Sequence, residues 1–197
     1  MNTGSENFYD RLSFLYPVID VFLKPQKKTF FRNINTYPSG KLLEIGVGNG
    51  SHFKFYTRHQ VVGIDTSTKM LMEAQKRRRT NVDLIQMNGE SLAFADGSFD
   101  YVVLSHVIAV VEHPEKILEE VHRVLRPGGK MFILNHVTPN NVLRYMDAWF
   151  GRISKMLHFK SVFQITSLKQ LTRFTLLTEH DAGIFSYFKI LTYEKNV

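Results

Sequence analysis

Apolar positions in this chain follow two different periods. Near the start, Phe8, Leu12, Leu15, Ile19 and Phe22 recur at spacings of three and four, which places them on one helix face and predicts helices over residues 5–16 and 18–36. Pro38-Ser39-Gly40 then interrupts the pattern. From Lys41 onward the apolar residues form short, near-continuous runs, each the length of a buried strand: 41–46, 61–65, 82–87, 99–104 and 130–135. Helix-length polar segments lie between them. Ser51 to Arg58 predicts a short helix, Thr66 or Ser67 can cap one running to about Arg78, and Pro114 starts one that reaches Leu125, where Pro127-Gly128-Gly129 stops it. Residues 141–157 have helical spacing again, and 172–179 and 183–194 are expected to be closing strands, suited to an antiparallel hairpin. Strands that alternate with helices of this length imply right-handed crossovers, hence an α/β domain on a parallel sheet.

Composition changes this picture little. The 197 residues suit one domain, with 44% hydrophobic and 22% charged residues. There is no cysteine, which excludes disulfides and thiolate metal sites. No His, Asp or Glu spacing suggests a metal site, and no Ser-His-Asp order stands out. Residues 1–10 lack a basic segment followed by an apolar core, so no signal peptide is expected. No window approaches the ~18 uncharged apolar residues of a spanning helix. A cytoplasmic protein is expected, soluble or peripheral on the inner face of the membrane. The net charge of +7 fits an anionic membrane surface, an acidic substrate or nucleic acid without choosing among them.

The chemistry concentrates at the strand ends. Glu44-Ile-Gly-Val-Gly-Asn-Gly50 joins the first strand to the next segment. Its glycines can take positive φ and admit a ligand to the backbone, at the edge where open α/β sheets bind ligands. The spacing is G-x-G-x-G rather than the G-x-G-x-x-G of a pyrophosphate site, and a Walker lysine is absent. Asp65 closes the second strand, where a carboxylate can accept from both hydroxyls of a ribose. Loop and acid together point to a nucleoside ligand.

Leu43–Gly50, Val62–Ser67, Asp96-Gly-Ser-Phe-Asp100 and Leu125-Arg-Pro-Gly-Gly129 resemble, in order, the successive motifs of class I S-adenosylmethionine-dependent methyltransferases. The resemblance implies a single-domain Rossmann-like fold, with a mostly parallel seven-stranded sheet, helices on both faces and an N-terminal helical lid. Residues 1–37 would be the lid and acceptor region, and 38–197 the cofactor-binding domain. It further implies that Glu44 holds the methionine ammonium, directly or through water, and that Gly46, Gly48, Asn49 and Gly50 face the methionine part. Asp65 would grip the ribose, and Thr66 and Met70 would line the adenine. Asn88-Gly89-Glu90 stands where the family often carries an acid for the adenine amino group, so Asn88 would offer only a neutral acceptor. Ser105, His106 and Val107 would line the sulfonium side. The product would be S-adenosylhomocysteine. Asp96, Asp100 and Gly128-Gly129 also make good turns and are expected to be structural.

A narrower resemblance rests on Tyr9 with Tyr16, Val107–Pro114, Leu134-Asn-His136, Trp149-Phe150 and Gly183–Phe188, which look like the small bacterial phosphatidylethanolamine N-methyltransferases. Pro17 departs from the acid expected after the second tyrosine. This implies a phospholipid headgroup as acceptor, with Tyr9, Tyr16 and His136 as acceptor-side catalytic residues and Tyr16, His106 or His136 as proton acceptors. Residues 142–163 carry an aromatic stripe with Arg144, Arg152, Lys155 and Lys160 largely away from it, the pattern of an interfacial helix but equally of core packing. A methyltransferase of a quinone precursor or other small molecule is the alternative, and a non-catalytic cofactor- or nucleic-acid-binding protein stands further off. No nucleic-acid partner is expected, and the sequence does not fix the oligomeric state, for which a monomer is the expectation. Lys76-Arg77-Arg78-Arg79 is expected to be a solvated helix end, and His52, His59, His122 and His180 to be surface residues.

Overall fold

The computed structural model describes residues 27–136, 168–182 and 188–196. Seven strands form one sheet: β1 (Lys41–Ile45), β2 (Gln60–Asp65), β3 (Val82–Gln86), β4 (Phe99–Ser105), β5 (Leu125–His136), β6 (Phe174–Ala182) and β7 (Phe188–Lys195), in the order β3-β2-β1-β4-β5-β7-β6. β1 to β5 are all parallel to one another, and β7 runs antiparallel to both β5 and β6. The predicted Rossmann-like, mostly parallel seven-stranded sheet is therefore present. The chain first winds outward from β1 through β2 to β3, then returns to the other side of β1 for β4. That reversal makes the carboxyl ends of β1 and β4 the switch point where such sheets open a crevice.

Side chains of the inner strands alternate between two cores, as strand geometry requires. Leu43, Ile45, Val102, Leu104, Met131 and Ile133 face one side, where helix α3 (Pro114–Val124) buries Ile117, Leu118, Val121 and Val124. Leu42, Tyr101, Val103, Phe132 and Leu134 face the other, against helix α1 (27–34) with Phe30, Phe31 and Ile34, and against Ala74 of α2 (Thr68–Gln75). Helices on both faces are as expected. Of residues 1–37, expected to form a lid, only 27–37 are described, and helix over 27–34 agrees with the predicted span to 36. Residues 1–26 and the predicted helix at 141–157 lie outside the described residues.

β6 runs over Phe174–Ala182 where 172–179 was expected, because Lys169–Arg173 forms a 3-10 turn, and three other boundaries differ, each for a local reason. The predicted helix at 51–58 is only a single 3-10 turn, Phe53–Phe55. Asn35 claims the groups a longer helix would use: its Nδ2 donates to the Phe55 carbonyl (2.6 Å) and its Oδ1 accepts from Thr57 N (3.3 Å). α2 is capped by Ser67, whose Oγ accepts from Met70 N at 3.3 Å, and stops at Gln75 because Arg77 N and Arg78 N turn back to the carbonyls three residues earlier. Pro127-Gly128-Gly129 does not precede β5 but lies inside it. Pairing jumps from Phe99↔Leu125 to Tyr101↔Lys130, and the extra residues are absorbed as an irregularity with Gly128 at φ +69°.

Candidate active site

Gly46, Gly48 and Gly50 all have positive φ (+75°, +53° and +68°), so the loop after β1 takes a path that residues with a Cβ resist. At Gly46 a Cβ would lie 2.6 Å from Val107 Cγ2, which shows how closely the loops after β1 and β4 meet. Gly46 N and Val47 N both bond the Ile64 carbonyl of β2. Asn49 Oδ1 accepts from Ser51 N at 3.1 Å and so shapes the turn.

Asp65 ties the loop to β2. Its Oδ2 accepts from Gly48 N (2.8 Å) and its Oδ1 from Ser67 N (3.0 Å). Burial pushes this carboxyl above the usual range, and the N–H groups of Ser67, Gly48 and Thr66 oppose that. The carboxylate keeps acceptor capacity for a hydroxyl donor. Thr66 is exposed, and Met70 is buried on the first turn of α2. After β3, Asn88 Oδ1 accepts from Glu90 N at 2.9 Å, so one lone pair of the predicted adenine acceptor is already engaged in an Asx turn. Gly89 is packed on Ile45, leaving only 2.7 Å from a notional Cβ to Ile45 Cγ2.

At the end of β4, Ser105 is half-buried, and Val107 is buried under the glycine loop. Among the described residues, His106 alone of the non-glycines has positive φ (+61°), with its N bonded to the Leu134 carbonyl at 2.7 Å and its ring edge-on to Phe188. A left-handed histidine costs about 1–3 kcal/mol, and such strain gathers at functional sites.

Glu44 has the strand parity of Leu42, so it points into the core on the α1 face rather than into that of α3. It is fully buried. Tyr56 donates its hydroxyl to Oε2 at 2.9 Å, and His52 Nε2 bonds the same oxygen at 2.9 Å. Burial and the adjacent carboxylate drive the Tyr56 hydroxyl well above its usual pKa, which keeps it a donor. Oε1 also lies 2.9 Å from His52 Nε2, yet no donor among the described residues meets it in hydrogen-bonding geometry. His52 is stacked on Phe31 at 4.9 Å and 7°, with Tyr56 edge-on to the same ring.

Sequence reasoning missed His52 and Tyr56. The expectation that His52 and His59 are surface residues is wrong: they are 5% and 1% exposed. His59 pairs with the Ile34 carbonyl and packs on Tyr101. His52 and Tyr56 flank the 3-10 turn Phe53–Phe55, which brings both to Glu44. His122 is half-buried against Phe174, and His180 is exposed. Within the charge run, Lys76 binds Glu73, Arg77 binds the Asn49 and Glu73 carbonyls, and Arg78 binds the Val82 carbonyl and Asp83, a structural use of three of its members. Beside it a cleft of about 320 Å³ is lined by Lys27, His52, Lys54 and Arg77 among others. Asp96 and Asp100 pair with Arg123 and Arg126, and Asp100 also accepts from Lys41 N at 2.7 Å. Tyr9, Tyr16 and Trp149 lie outside the described residues. His136 closes β5 opposite Phe188 at the same sheet edge as the glycine loop.

The donor set fits one cofactor chemistry. An under-coordinated buried carboxylate suits a cationic ammonium, the open glycine backbone suits a thioether chain, and Asp65 suits a ribose. Residues 43–133 match the methyltransferase domain family. The phosphatidylethanolamine N-methyltransferase of Cereibacter sphaeroides is 31% identical over 160 residues, covering 76% of this chain and 79% of that protein. The chain belongs to the class I S-adenosylmethionine-dependent methyltransferases. The human thiol S-methyltransferase TMT1A is 40% identical over 57% of this methyltransferase, which spans about half of the thiol enzyme's length. In fold it is similar to a Thermotoga maritima S-adenosylmethionine-dependent methyltransferase, at TM-score 0.74 and 20% identity, over 96% of this chain and 99% of the other. S-adenosylmethionine is thus the methyl donor of this enzyme. Among the described residues no helix is long and apolar enough to cross a membrane, and no group of three His, Asp or Glu could hold a metal ion.

Proposed function

We propose that the enzyme methylates the amine of phosphatidylethanolamine-type headgroups, toward phosphatidylcholine, at an anionic membrane surface. The observation that carries this is the 31% identity to a phosphatidylethanolamine N-methyltransferase over three quarters of both chains. The thiol relative, by contrast, matches over little more than half of this one.

The cofactor supplies an electrophilic methyl on a sulfonium, and the protein's task is alignment and exclusion of water, worth about 7–11 kcal/mol. Glu44 would fix the ammonium end, Gly46, Gly48, Asn49 and Gly50 the chain, and Asp65 the ribose. Thr66, Met70 and Asn88-Gly89-Glu90 would border the adenine, and Ser105, His106 and Val107 the sulfonium side. An amine acceptor must shed a proton before or during attack. His136 at the end of β5, His106 and Tyr16 are the groups assigned to that transfer, and the aromatic faces of Tyr9 and Tyr16 would stabilise a cationic amine. Residues 1–37 would cover this site.

The test uses purified protein, cofactor labelled in its methyl group, and liposomes containing phosphatidylethanolamine. Label in mono-, di- and trimethylated lipid is the expected result. Label entering a soluble thiol or quinone precursor, with none in lipid, would replace this function with the small-molecule one.

A further inference from the structure

We infer that His52 and Tyr56 are positioning residues of the cofactor site, holding the Glu44 carboxylate so that Oε1 is left for the cofactor's ammonium. The inference rests on the role proposed for Glu44. A fully buried carboxylate has about four lone-pair positions to satisfy, and a deficit is expensive. Here both side-chain donors converge on one oxygen. Tyr56 and His52 each bond Oε2 at 2.9 Å, while Oε1, although also 2.9 Å from His52 Nε2, has no partner in hydrogen-bonding geometry among the described residues. The asymmetry leaves one oxygen saturated and the other short of a donor, with a charged N–H group as the natural partner.

The two donors are themselves held. The His52 ring lies flat on Phe31 (4.9 Å, 7°) and edge-on to Phe53 (5.0 Å, 69°), and Tyr56 meets Phe31 edge-on (4.9 Å, 77°). All three phenyl and phenol rings are at most 2% exposed. A carboxylate aimed by rigid neighbours loses little freedom when its ligand arrives. His52 and Tyr56 touch neither methyl donor nor acceptor in this assignment; they act through Glu44.

Two ligands separate positioning from mere folding. S-adenosylhomocysteine carries the amino-acid end, whereas 5′-methylthioadenosine keeps the adenosine and thioether but lacks it. Calorimetric titration of the full-length protein is expected to show His52→Ala and Tyr56→Phe each weakening S-adenosylhomocysteine roughly 10- to 100-fold, the loss of one hydrogen bond to a charged group. Binding of methylthioadenosine should stay within about twofold. His52→Gln, which can restore an N–H donor, should recover most of the affinity. Tyr56→Phe keeps the ring and its packing, so it serves where the alanine variant does not fold. Equal weakening of both ligands, or of neither, overturns the inference. Failure of the unsubstituted protein to bind S-adenosylhomocysteine would instead overturn the role given to Glu44.

Discussion

Replacing Gly46 by alanine tests the contact on which the crevice depends. The substitution acts in two ways. At φ +75° a Cβ is strained by about 1–2 kcal/mol. That Cβ would also lie 2.6 Å from Val107 Cγ2. Valine is stiff about χ1, and Val107 is 8% exposed within the α3-side core, so its methyl cannot simply swing away. Overpacking of this kind costs about 1–3 kcal/mol. Gly46→Ala should therefore destabilise by about 2–5 kcal/mol in total. For a chain of this size that lowers Tm by roughly 4–20 °C. Val107→Ala alone removes two methyl-sized groups and costs about 1.6 kcal/mol. In the double variant the clash disappears while the backbone strain and the cost of shortening Val107 remain, so the pair should be less destabilised than the sum by about 1–3 kcal/mol. Denaturant unfolding of the four proteins measures this coupling, and titration with S-adenosylhomocysteine should show Val107→Ala restoring part of the affinity lost in Gly46→Ala. Additive costs within about 0.5 kcal/mol would refute the claim that the two loops are in contact at this point.

Two further outcomes follow from the site and its surroundings. Asp65→Asn keeps one acceptor oxygen, so either Gly48 N or Ser67 N comes to face an NH2 group, and affinity for S-adenosylhomocysteine and for methylthioadenosine should fall together by roughly 10- to 100-fold in calorimetry; unchanged binding of both would remove Asp65 from the ribose. His59 is held below its ordinary value of 6.5 chiefly by burial, despite its bond to the Ile34 carbonyl, and His122 is shifted in the same direction by burial and by Arg173 and Lys195. In the window between folded and unfolded pKa the unfolded chain binds more protons, so this stability is complete above about pH 6.5 and is lost as pH falls through the window. His59→Gln should flatten stability against pH between about pH 7 and 5, as read from denaturation midpoints; an unchanged slope would show that His59 does not contribute to it.

What could be read from the sequence was whatever is local or strictly periodic. Short, near-continuous apolar runs place β1, β2, β3 and β4 within about one residue of their expected limits, including β3 at the sheet edge. The positive φ at Gly46, Gly48 and Gly50 follows from residue type and place. Boundaries failed where a distant side chain decided them. Nothing between Ser51 and Arg58 says that Asn35 takes the Phe55 carbonyl and Thr57 N, yet those two bonds replace a helix with one 3-10 turn. Pro127-Gly128-Gly129 reads as a terminator, but pairing with β4 on both sides carries the strand through it.

The same distinction separates what was seen from what was missed at Glu44. The acid was recognisable from its motif, but its two donors were not, because their role depends on three facts from different places. Strand parity sends Glu44 to the α1 face. The turn shortened by Asn35 brings His52 and Tyr56 to one side. Phe31 of α1 then fixes both rings. α1 is thus more than a cover over this face. Its Phe31 packs directly on both donors of the Glu44 carboxylate, so a displacement of α1 cannot leave His52 where it stands. Phe31 thus couples α1 to the two donors of the group proposed to hold the ammonium, and Phe31→Ala should weaken S-adenosylhomocysteine binding in calorimetry as His52→Ala does; unchanged affinity would refute the coupling.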